Sequence, residues 1–439
     1  MQGEGGVESG RQRTEVRAMQ ARVSDSRRDS SDAGRRSDRR GSRACAMILS
    51  RAQTPAPTTQ ATGHRPTGGF PLAASMGQTD ETKITPQPLG LARWDWQEVR
   101  SVLVVRLRSI GDTVLATPSL YALRRFLPDA RIDILLEDWV APVLAGFKEV
   151  DNIITVERKG IRGRAAVAQE LRANKYDVVY NLHGGSTATF LTRATGARHR
   201  VGYAEYRYSG LHNHVAPSPI ELWGREKLHS VEQQLGLLGW TGVPVSDLPL
   251  TRLSVTPEAE ASINERLRAA GIDEAKKIAL LHPAAAFDTK QWATENFARI
   301  AEYLDERSFV PVAIVAPHES QIADVLQHAA SVSIASFVDL SLPEVTALAA
   351  RASLFVGNDS GIAHIAAAVS CPSVVIFGSS NVTHWRPWAG APAAVVREEL
   401  PCQPCPGYTC GEFDQPECIR RVPVERVRVA IEQLLEARG

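Results

Sequence analysis

The chain has 439 residues, 44% of them hydrophobic, and a formal net charge of +1 at pH 7. This length and apolar content suit two hydrophobic cores, because single domains rarely grow beyond about 250 residues. The balanced charge provides no strong field for nucleic acid, so we expect no DNA or RNA partner. No segment reaches the roughly 18 to 20 uncharged apolar residues that span a bilayer, and no apolar signal region precedes the first predicted strand. The expected location is therefore the cytoplasm.

The beginning of the chain has a composition of its own. It is rich in Arg, Ser and Asp over residues 11–43 and in Pro, Thr, Gly and Ala over residues 54–88. Such segments have too little apolar surface to offset the entropy cost of ordering the backbone. We therefore predict that residues 1–97 form a disordered extension.

Strands and helices then alternate over a first predicted domain, residues 98–250. The predicted strands are 101–107, 131–136, 153–156 and 177–182. The predicted helices are 115–126, 139–147, 164–174, 187–195 and 226–239. This alternation is typical of an α/β fold with a doubly wound parallel sheet.

A second domain of the same kind is predicted for residues 251–421, after a proline-containing linker. Its predicted strands are 278–282, 310–315, 332–335, 353–356 and 373–377. Its predicted helices are 258–270, 294–306, 319–329, 343–350 and 362–369. A last helix, within residues 422–439, is expected to pack across the domain junction.

The turn at residues 357–361, Gly-Asn-Asp-Ser-Gly, lies between a predicted strand and a helix. The free N–H groups of a helix N-terminus bind anions, so phosphate is the first ligand to consider, with Asp359, Ser360, Gly361 and His364 beside it. Asp359 and Ser360 are equally suited to cap the helix while His364 is satisfied in the core. This segment by itself leaves both interpretations open.

Two further charged residues follow predicted strands. Asp112 comes after the first strand, where local context favours a helix cap and a general base is the alternative. Lys290 follows a turn of small residues and is either a phosphate ligand or a surface lysine. The chain contains neither the dinucleotide glycine fingerprint nor a P-loop, which argues against a dehydrogenase and a P-loop kinase. It also has no Asp-x-Asp pair to hold a metal on a diphosphate.

Four cysteines are spaced closely in a loop at residues 402–418: Cys402, Cys405, Cys410 and Cys418. In a cytosolic protein such a cluster suggests a structural metal before a disulfide. The spacing is not that of a standard zinc knuckle, so a reduced, packed loop is the favoured interpretation.

Together these motifs resemble the bacterial heptosyltransferases of glycosyltransferase family nine, which transfer heptose from ADP-heptose to the lipopolysaccharide inner core. The resemblance runs from residue 99 onward. It rests on the phrases VLVVRLRSIGDTVLATP at 102–118, YDVVYNLHGG and GARHRVG within 176–202, the turn at 282–292, and GNDSGIAHIAAAVSCPSVVIFG at 357–378.

This resemblance implies a GT-B fold, in which two Rossmann-like domains face a cleft. It implies an inverting, metal-independent transferase that needs no cofactor, with Asp112 as the catalytic base. It places the donor diphosphate at Lys290, Asp359, Ser360, Gly361 and His364.

The acceptor would be a glycolipid, which implies peripheral contact with the cytoplasmic face of the inner membrane. Arg108 and His183 are the acceptor candidates on the first domain. Two alternatives stay open: a family-nine transferase that uses another nucleotide sugar, and a noncatalytic GT-B-like binding protein.

Overall fold

A computed structural model describes residues 85–158, 160–405 and 408–437. Most of the predicted disordered extension, residues 1–84, lies outside these ranges. Among the described residues, no helix combines the length and the apolar character that crossing a membrane requires.

The first lobe is built on a six-stranded parallel sheet with the order β3-β2-β1-β4-β5-β6. Its strands are β1 (Ser101–Val105), β2 (Arg131–Glu137), β3 (Asn152–Val156), β4 (Val178–Asn181), β5 (His199–Tyr203) and β6 (His214–Ala216). Its helices are α1 (Ile110–Val114), α2 (Thr117–Phe126), α3 (Ile161–Ala173), α4 (Ser186–Ala194), α5 (Pro219–Trp223) and α6 (Ser230–Gly239). Central strand β1 is buried along its whole length, as expected where helices cover both faces of a parallel sheet.

The second lobe repeats this layout with the strand order β12-β11-β10-β7-β8-β9. Its strands are β7 (Lys277–His282), β8 (Phe309–Ile314), β9 (Ala335–Phe337), β10 (Leu354–Asn358), β11 (Ser373–Phe377) and β12 (Ala393–Arg397). Its helices are α7 (Pro257–Ala269), α8 (Thr294–Asp305), α9 (Ser320–Ala329), α10 (Leu342–Arg351), α11 (Gly361–Ala368), α12 (Val382–Trp385), α13 (Glu417–Arg420) and α14 (Val424–Glu436). The predicted pair of doubly wound parallel sheets is confirmed.

The helix predicted over residues 115–126 is found as α2, and a separate helix that the sequence did not predict, α1, precedes it. Helix α1 begins at Ile110, and α2 begins at Thr117 with Pro118 in its first turn. Proline has no N–H to donate and clashes with the preceding turn, so a continuous helix through this position is unfavourable. Because of the break, Gly111 and Asp112 lie inside a separate helix at the end of β1 rather than in a turn.

Residues 85–97, the end of the predicted disordered extension, have fixed positions on the first lobe. The N–H groups of Leu89 and Gly90 both donate to the carbonyl of Gly239. The Trp94 ring stacks on His199, and the Trp96 indole N–H donates to the main chain at 3.1 Å. The prediction of disorder is therefore wrong for this stretch, because two tryptophans and a leucine supply the apolar surface that the preceding segment lacks.

The last helix, α14, packs within the second lobe. It contacts β11, β12 and α8, and its buried side chains Val427, Ile431 and Leu434 belong to a hydrophobic cluster formed entirely by second-lobe residues. The expected packing across the domain junction is therefore wrong. The apolar face of α14 is buried against one face of the second sheet.

Candidate functional site

The two lobes meet where helices α1 and α11 approach each other. A Cβ atom placed on Gly361 would lie 2.8 Å from Ile110 Cβ and 3.1 Å from the backbone nitrogen of Gly111. A Cβ atom on Gly111 would lie 2.7 Å from Cδ2 of His364. A Cβ atom at either position would force Ile110 or His364 to shift, so glycine allows the two helices to approach this closely. The contact brings the predicted base of the first lobe beside the predicted phosphate turn of the second.

Asp112 lies in α1, one residue after this contact. Its carboxylate pairs with Arg106 and accepts hydrogen bonds from the Ser109 N–H at 3.2 Å and the Ser109 hydroxyl at 3.1 Å. Burial raises the pKa of Asp112, but Arg106 and the Ser109 hydrogen bonds outweigh it and hold the pKa below its ordinary value. Asp112 is therefore a carboxylate at neutral pH. Because Asp112 accepts the Ser109 N–H at the start of α1, the capping interpretation also describes part of its role.

Arg106 is a site residue that the sequence analysis did not single out. It is buried at the end of β1, where one guanidinium nitrogen donates to the Leu182 carbonyl and another pairs with Asp112. Its Nε atom is buried without a hydrogen-bond partner among the described residues. A charged residue directly after a run of buried apolar residues was the available signal, because buried cations are rare unless they are paired.

The two acceptor candidates, Arg108 and His183, also lie at this end of the first sheet. His183 follows β4, and burial together with Arg106 lowers the pKa of its imidazole to about 3. Its Nδ1 atom is buried and has no partner within the described part of the chain. Arg108 is partly exposed, and its guanidinium lies 3.6 Å from the carboxylate of Glu137.

On the second lobe, Lys290 and Asp359 form an ion pair, with 2.8 Å between Nζ and Oδ2. Ser360 occupies the capping position of α11, but its side chain makes no capping hydrogen bond. Its hydroxyl lies 3.2 Å from Nδ1 of His282, whose pKa burial lowers to about 4. The capping interpretation is therefore wrong for Ser360, and the carboxylate of Asp359 serves to hold Lys290.

His364 lies on α11 against Gly111. Burial lowers the pKa of His364, partly opposed by the carboxylates of Asp359 and Asp112, so the imidazole is neutral at pH 7. Its Nδ1 atom is buried and no described residue provides it with a hydrogen bond. This observation argues against the interpretation of His364 as a satisfied core histidine.

Three buried nitrogens with unused hydrogen-bonding capacity therefore belong to residues that pair with Asp112 or are influenced by its charge: Arg106 Nε, His183 Nδ1 and His364 Nδ1. The charge of Asp112 acts on both histidines, which places all of them in one region. An unpartnered buried polar group costs about 1–3 kcal/mol, so such a concentration indicates a site that a polar ligand completes. The arrangement combines a proton acceptor with groups able to bind oxygen atoms.

The four cysteines of the 402–418 loop line one cavity of about 300 Å³, behind the turn that carries Lys290. Burial and the neighbouring thiols raise the pKa of Cys418 to about 11. Within residues 85–158, 160–405 and 408–437, no group of three or more His, Cys, Asp or Glu side chains is arranged to hold a metal ion. The structure therefore gives no support to a structural metal at these thiols.

The glycine contact generates a prediction for Gly361→Ala. Alanine favours a helix by about 1 kcal/mol over glycine, but the added methyl group collides with the backbone of α1, and such overpacking costs about 1–3 kcal/mol. We expect the lobes to separate locally. Turnover should then fall clearly while the melting temperature changes little. Steady-state kinetics and calorimetry on the same preparation measure both quantities. Full turnover in Gly361→Ala would contradict the need for this close approach.

Comparison with known proteins agrees with this geometry. A family model described as Glycosyltransferase family 9 (heptosyltransferase) matches residues 164–414, more than half of the chain. Lipopolysaccharide heptosyltransferase 3 of Escherichia coli is 29% identical over 294 residues, which cover 64% of this chain and 85% of the relative. Lipooligosaccharide heptosyltransferase 2 of Campylobacter jejuni is 24% identical over 333 residues, covering 74% and 96% of the two chains.

Solved structures share the fold. The glycosyl transferase family 9 protein from Veillonella parvula superposes with a TM-score of 0.68 at 21% identity, covering 77% of this chain and 97% of that one. The structure of E. coli ADP-heptose lps heptosyltransferase II gives a TM-score of 0.64 at 21% identity, covering 77% and 100%. The predicted GT-B arrangement is confirmed by these neighbours. The chain belongs to glycosyltransferase family 9 and is an enzyme that transfers a sugar.

Proposed function

We propose that the enzyme transfers heptose from ADP-heptose to a hydroxyl of a lipopolysaccharide inner-core acceptor, with inversion at the anomeric carbon. The observation that carries the proposal is the meeting of Asp112 with the Asp359-Ser360-Gly361 turn and His364 across the α1–α11 contact. In this proposal residues 98–250 bind the acceptor and residues 251–421 bind the nucleotide sugar. The names of the similar proteins support the donor and the acceptor class.

Asp112 acts as the general base. It accepts the proton of the acceptor hydroxyl while that oxygen forms a bond to the anomeric carbon and the bond from that carbon to the phosphate oxygen breaks. The ADP leaves with the bonding electrons. Arg106 holds the carboxylate in its ionised form, so a proton acceptor is available before the substrate arrives.

The second lobe stabilises the departing diphosphate. Lys290 provides a positive charge that Asp359 holds in place, and the N-terminus of α11 provides free N–H groups. The neutral imidazole of His364 donates one hydrogen bond. These groups supply the electrostatic stabilisation in our account, which therefore requires no divalent cation.

A glycolipid acceptor also brings the first lobe to the cytoplasmic face of the inner membrane, and we include this peripheral contact in the proposal. Arg108 and His183 are the residues that we assign to the acceptor side. Both lie within the loops that follow β1 and β4, at the carboxyl ends of these central strands, where helix α1 with Asp112 also begins.

The donor assignment is tested by incubating the enzyme with ADP-heptose, ADP-glucose, UDP-glucose or GDP-mannose and a defined inner-core acceptor, in buffer containing EDTA. We expect mass spectrometry to detect a product larger by one heptose, formed from ADP-heptose alone. A product from another donor with none from ADP-heptose would overturn the heptose assignment. Loss of activity on adding EDTA, restored by magnesium, would overturn the metal-free account.

The role of Asp112 is tested by Asp112→Asn, which keeps the shape of the side chain and removes its basicity. We expect kcat to fall by about 10²- to 10⁴-fold, while the affinity for ADP, measured by calorimetry, stays within about threefold. A matched Lys290→Ala variant should instead lower the affinity for ADP. Unchanged turnover in Asp112→Asn would remove this residue as the base.

Arg106→Met tests the electrostatic part of the mechanism. The enzyme needs ionised Asp112, so activity is present above the pKa of this group and is lost as the pH falls through it. Without the guanidinium, the pKa of Asp112 loses the charge that lowers it most, while burial still raises it. We therefore expect the acidic limb of the kcat/KM profile to move to higher pH than in the wild type. An acidic limb that stays in place would show that Arg106 does not control the ionisation of Asp112.

A further inference from the structure

A second cluster of side chains lies at the carboxyl end of β2, on the lobe that carries Asp112. Its centre is Glu137, which ends the strand and is buried. One carboxylate oxygen of Glu137 accepts the indole N–H of Trp139 at 2.7 Å. The other lies 3.6 Å from the guanidinium of Arg108. A single buried carboxylate therefore holds two side chains that reach solvent.

Trp139 is 43% exposed although its polar edge is fixed. Burying a large aromatic side chain is worth about 1.5–3 kcal/mol, so a tryptophan held by its N–H with its ring in solvent presents a rigid apolar face. Asp138 lies beside it, exposed, with one oxygen accepting the backbone N–H of Trp139 at 2.8 Å. The cluster thus combines a fixed aromatic face with carboxylate and guanidinium groups.

The cluster is joined rigidly to the site around Asp112. The N–H of Glu137 donates to the carbonyl of Leu107 at 2.7 Å, which ties the loop after β2 to the loop after β1. Arg108 belongs to that same loop, and its backbone hydrogen-bonds to His183. The short helix Ala141–Leu144, which follows Trp139, contacts α1. A ligand seated on Trp139 is therefore held at a fixed position relative to the helix of Asp112.

We propose that Trp139, Arg108 and Asp138 form a binding subsite for a sugar ring of the acceptor, with Glu137 as the positioning residue. The indole face covers the C–H face of a pyranose, and the charged groups bind its hydroxyls, which is the usual composition of a small-molecule site. Two carboxylates accompany one guanidinium, so the subsite fits an uncharged ring better than a phosphate or an anionic lipid surface. This inference rests on the proposed function, since it deepens the acceptor assignment.

Binding is measured directly by ¹⁹F NMR on protein labelled with 5-fluorotryptophan. The chain has eight tryptophans, and Trp139→Phe identifies the Trp139 resonance by its disappearance. Titration with a heptose-terminated inner-core oligosaccharide should shift this resonance, while vesicles containing phosphatidylglycerol should not. A Trp139 resonance that is unmoved by the oligosaccharide, or is moved by vesicles alone, overturns the proposal.

Kinetics separate a binding role from a purely structural one. We expect Trp139→Ala to raise the acceptor KM about three- to tenfold, the range of aromatic contacts, with kcat and ADP affinity within about twofold. Trp139→Phe should recover most of this loss. Phe413→Ala removes a second-lobe aromatic ring of matched exposure, 42%, and should change neither constant.

Glu137→Gln and Glu137→Ala test the positioning role. The amide oxygen of Gln can still accept the indole N–H, so the acceptor KM of Glu137→Gln should lie between those of the wild type and Glu137→Ala. Equal acceptor KM values in wild type and Trp139→Ala, with product still formed, overturn the subsite and leave the proposed function standing. A shift of the Trp139 resonance by the oligosaccharide without transfer of heptose contradicts the proposed function and supports the subsite.

Discussion

The close approach of Gly111 and Gly361 is the constraint on which the site depends. Each glycine lies at the start of a helix that follows a central strand of its own sheet. Side chains at either position would hold the lobes apart by the thickness of a methyl group or more. With the two glycines in contact, the helix that carries Asp112 on one lobe lies against the helix that follows the Asp359-Ser360 turn on the other.

The charged side chains of the site are paired with partners on their own lobe. On the first lobe Asp112 is paired with Arg106, and on the second Lys290 is paired with Asp359. Neither pair therefore brings an uncompensated charge into the contact, where desolvation would be costly. The remaining unsatisfied groups are neutral or partly satisfied nitrogens, which a substrate rich in oxygen atoms can complete. The same division would allow the proposed base and the proposed phosphate site to coexist without neutralising each other.

The sequence predicted the central strands and the position of Asp112 well, because long buried apolar runs and the turns after them are local patterns. It missed β5 and β6, the last two strands of the first sheet, and β12, an edge strand of the second sheet, which carry polar residues such as His199 and Arg397. Strands of this kind are held by pairing with a neighbouring strand, which a local sequence pattern does not show. The separate helix α1 was missed because Ile110-Gly111-Asp112 is locally typical of a turn.

The pairings inside the site were beyond sequence reasoning. Arg106 and Asp112 are six residues apart, but the carbonyl that orients Arg106 belongs to Leu182, directly after strand β4. Lys290 and Asp359 come from turns after two different strands. The order of charged residues along the chain singled out Asp112, Lys290 and Asp359 as candidates. Which of them touch is set by how the parallel strands are arranged in the two sheets.

The location of α14 has a consequence for how such a molecule can be divided. Since this helix stays on the second sheet, the described chain passes from one lobe to the other a single time, between α6 and α7. A chimera that combines the first lobe of one family member with the second lobe of another therefore needs one splice point and interrupts no strand. The surface that such an exchange must preserve extends beyond the two glycines, since Leu228 and His229 of the first lobe also hydrogen-bond to His384 and Arg386 of the second. Exchange of whole lobes at this junction would leave each parallel sheet and the helices packed on it intact.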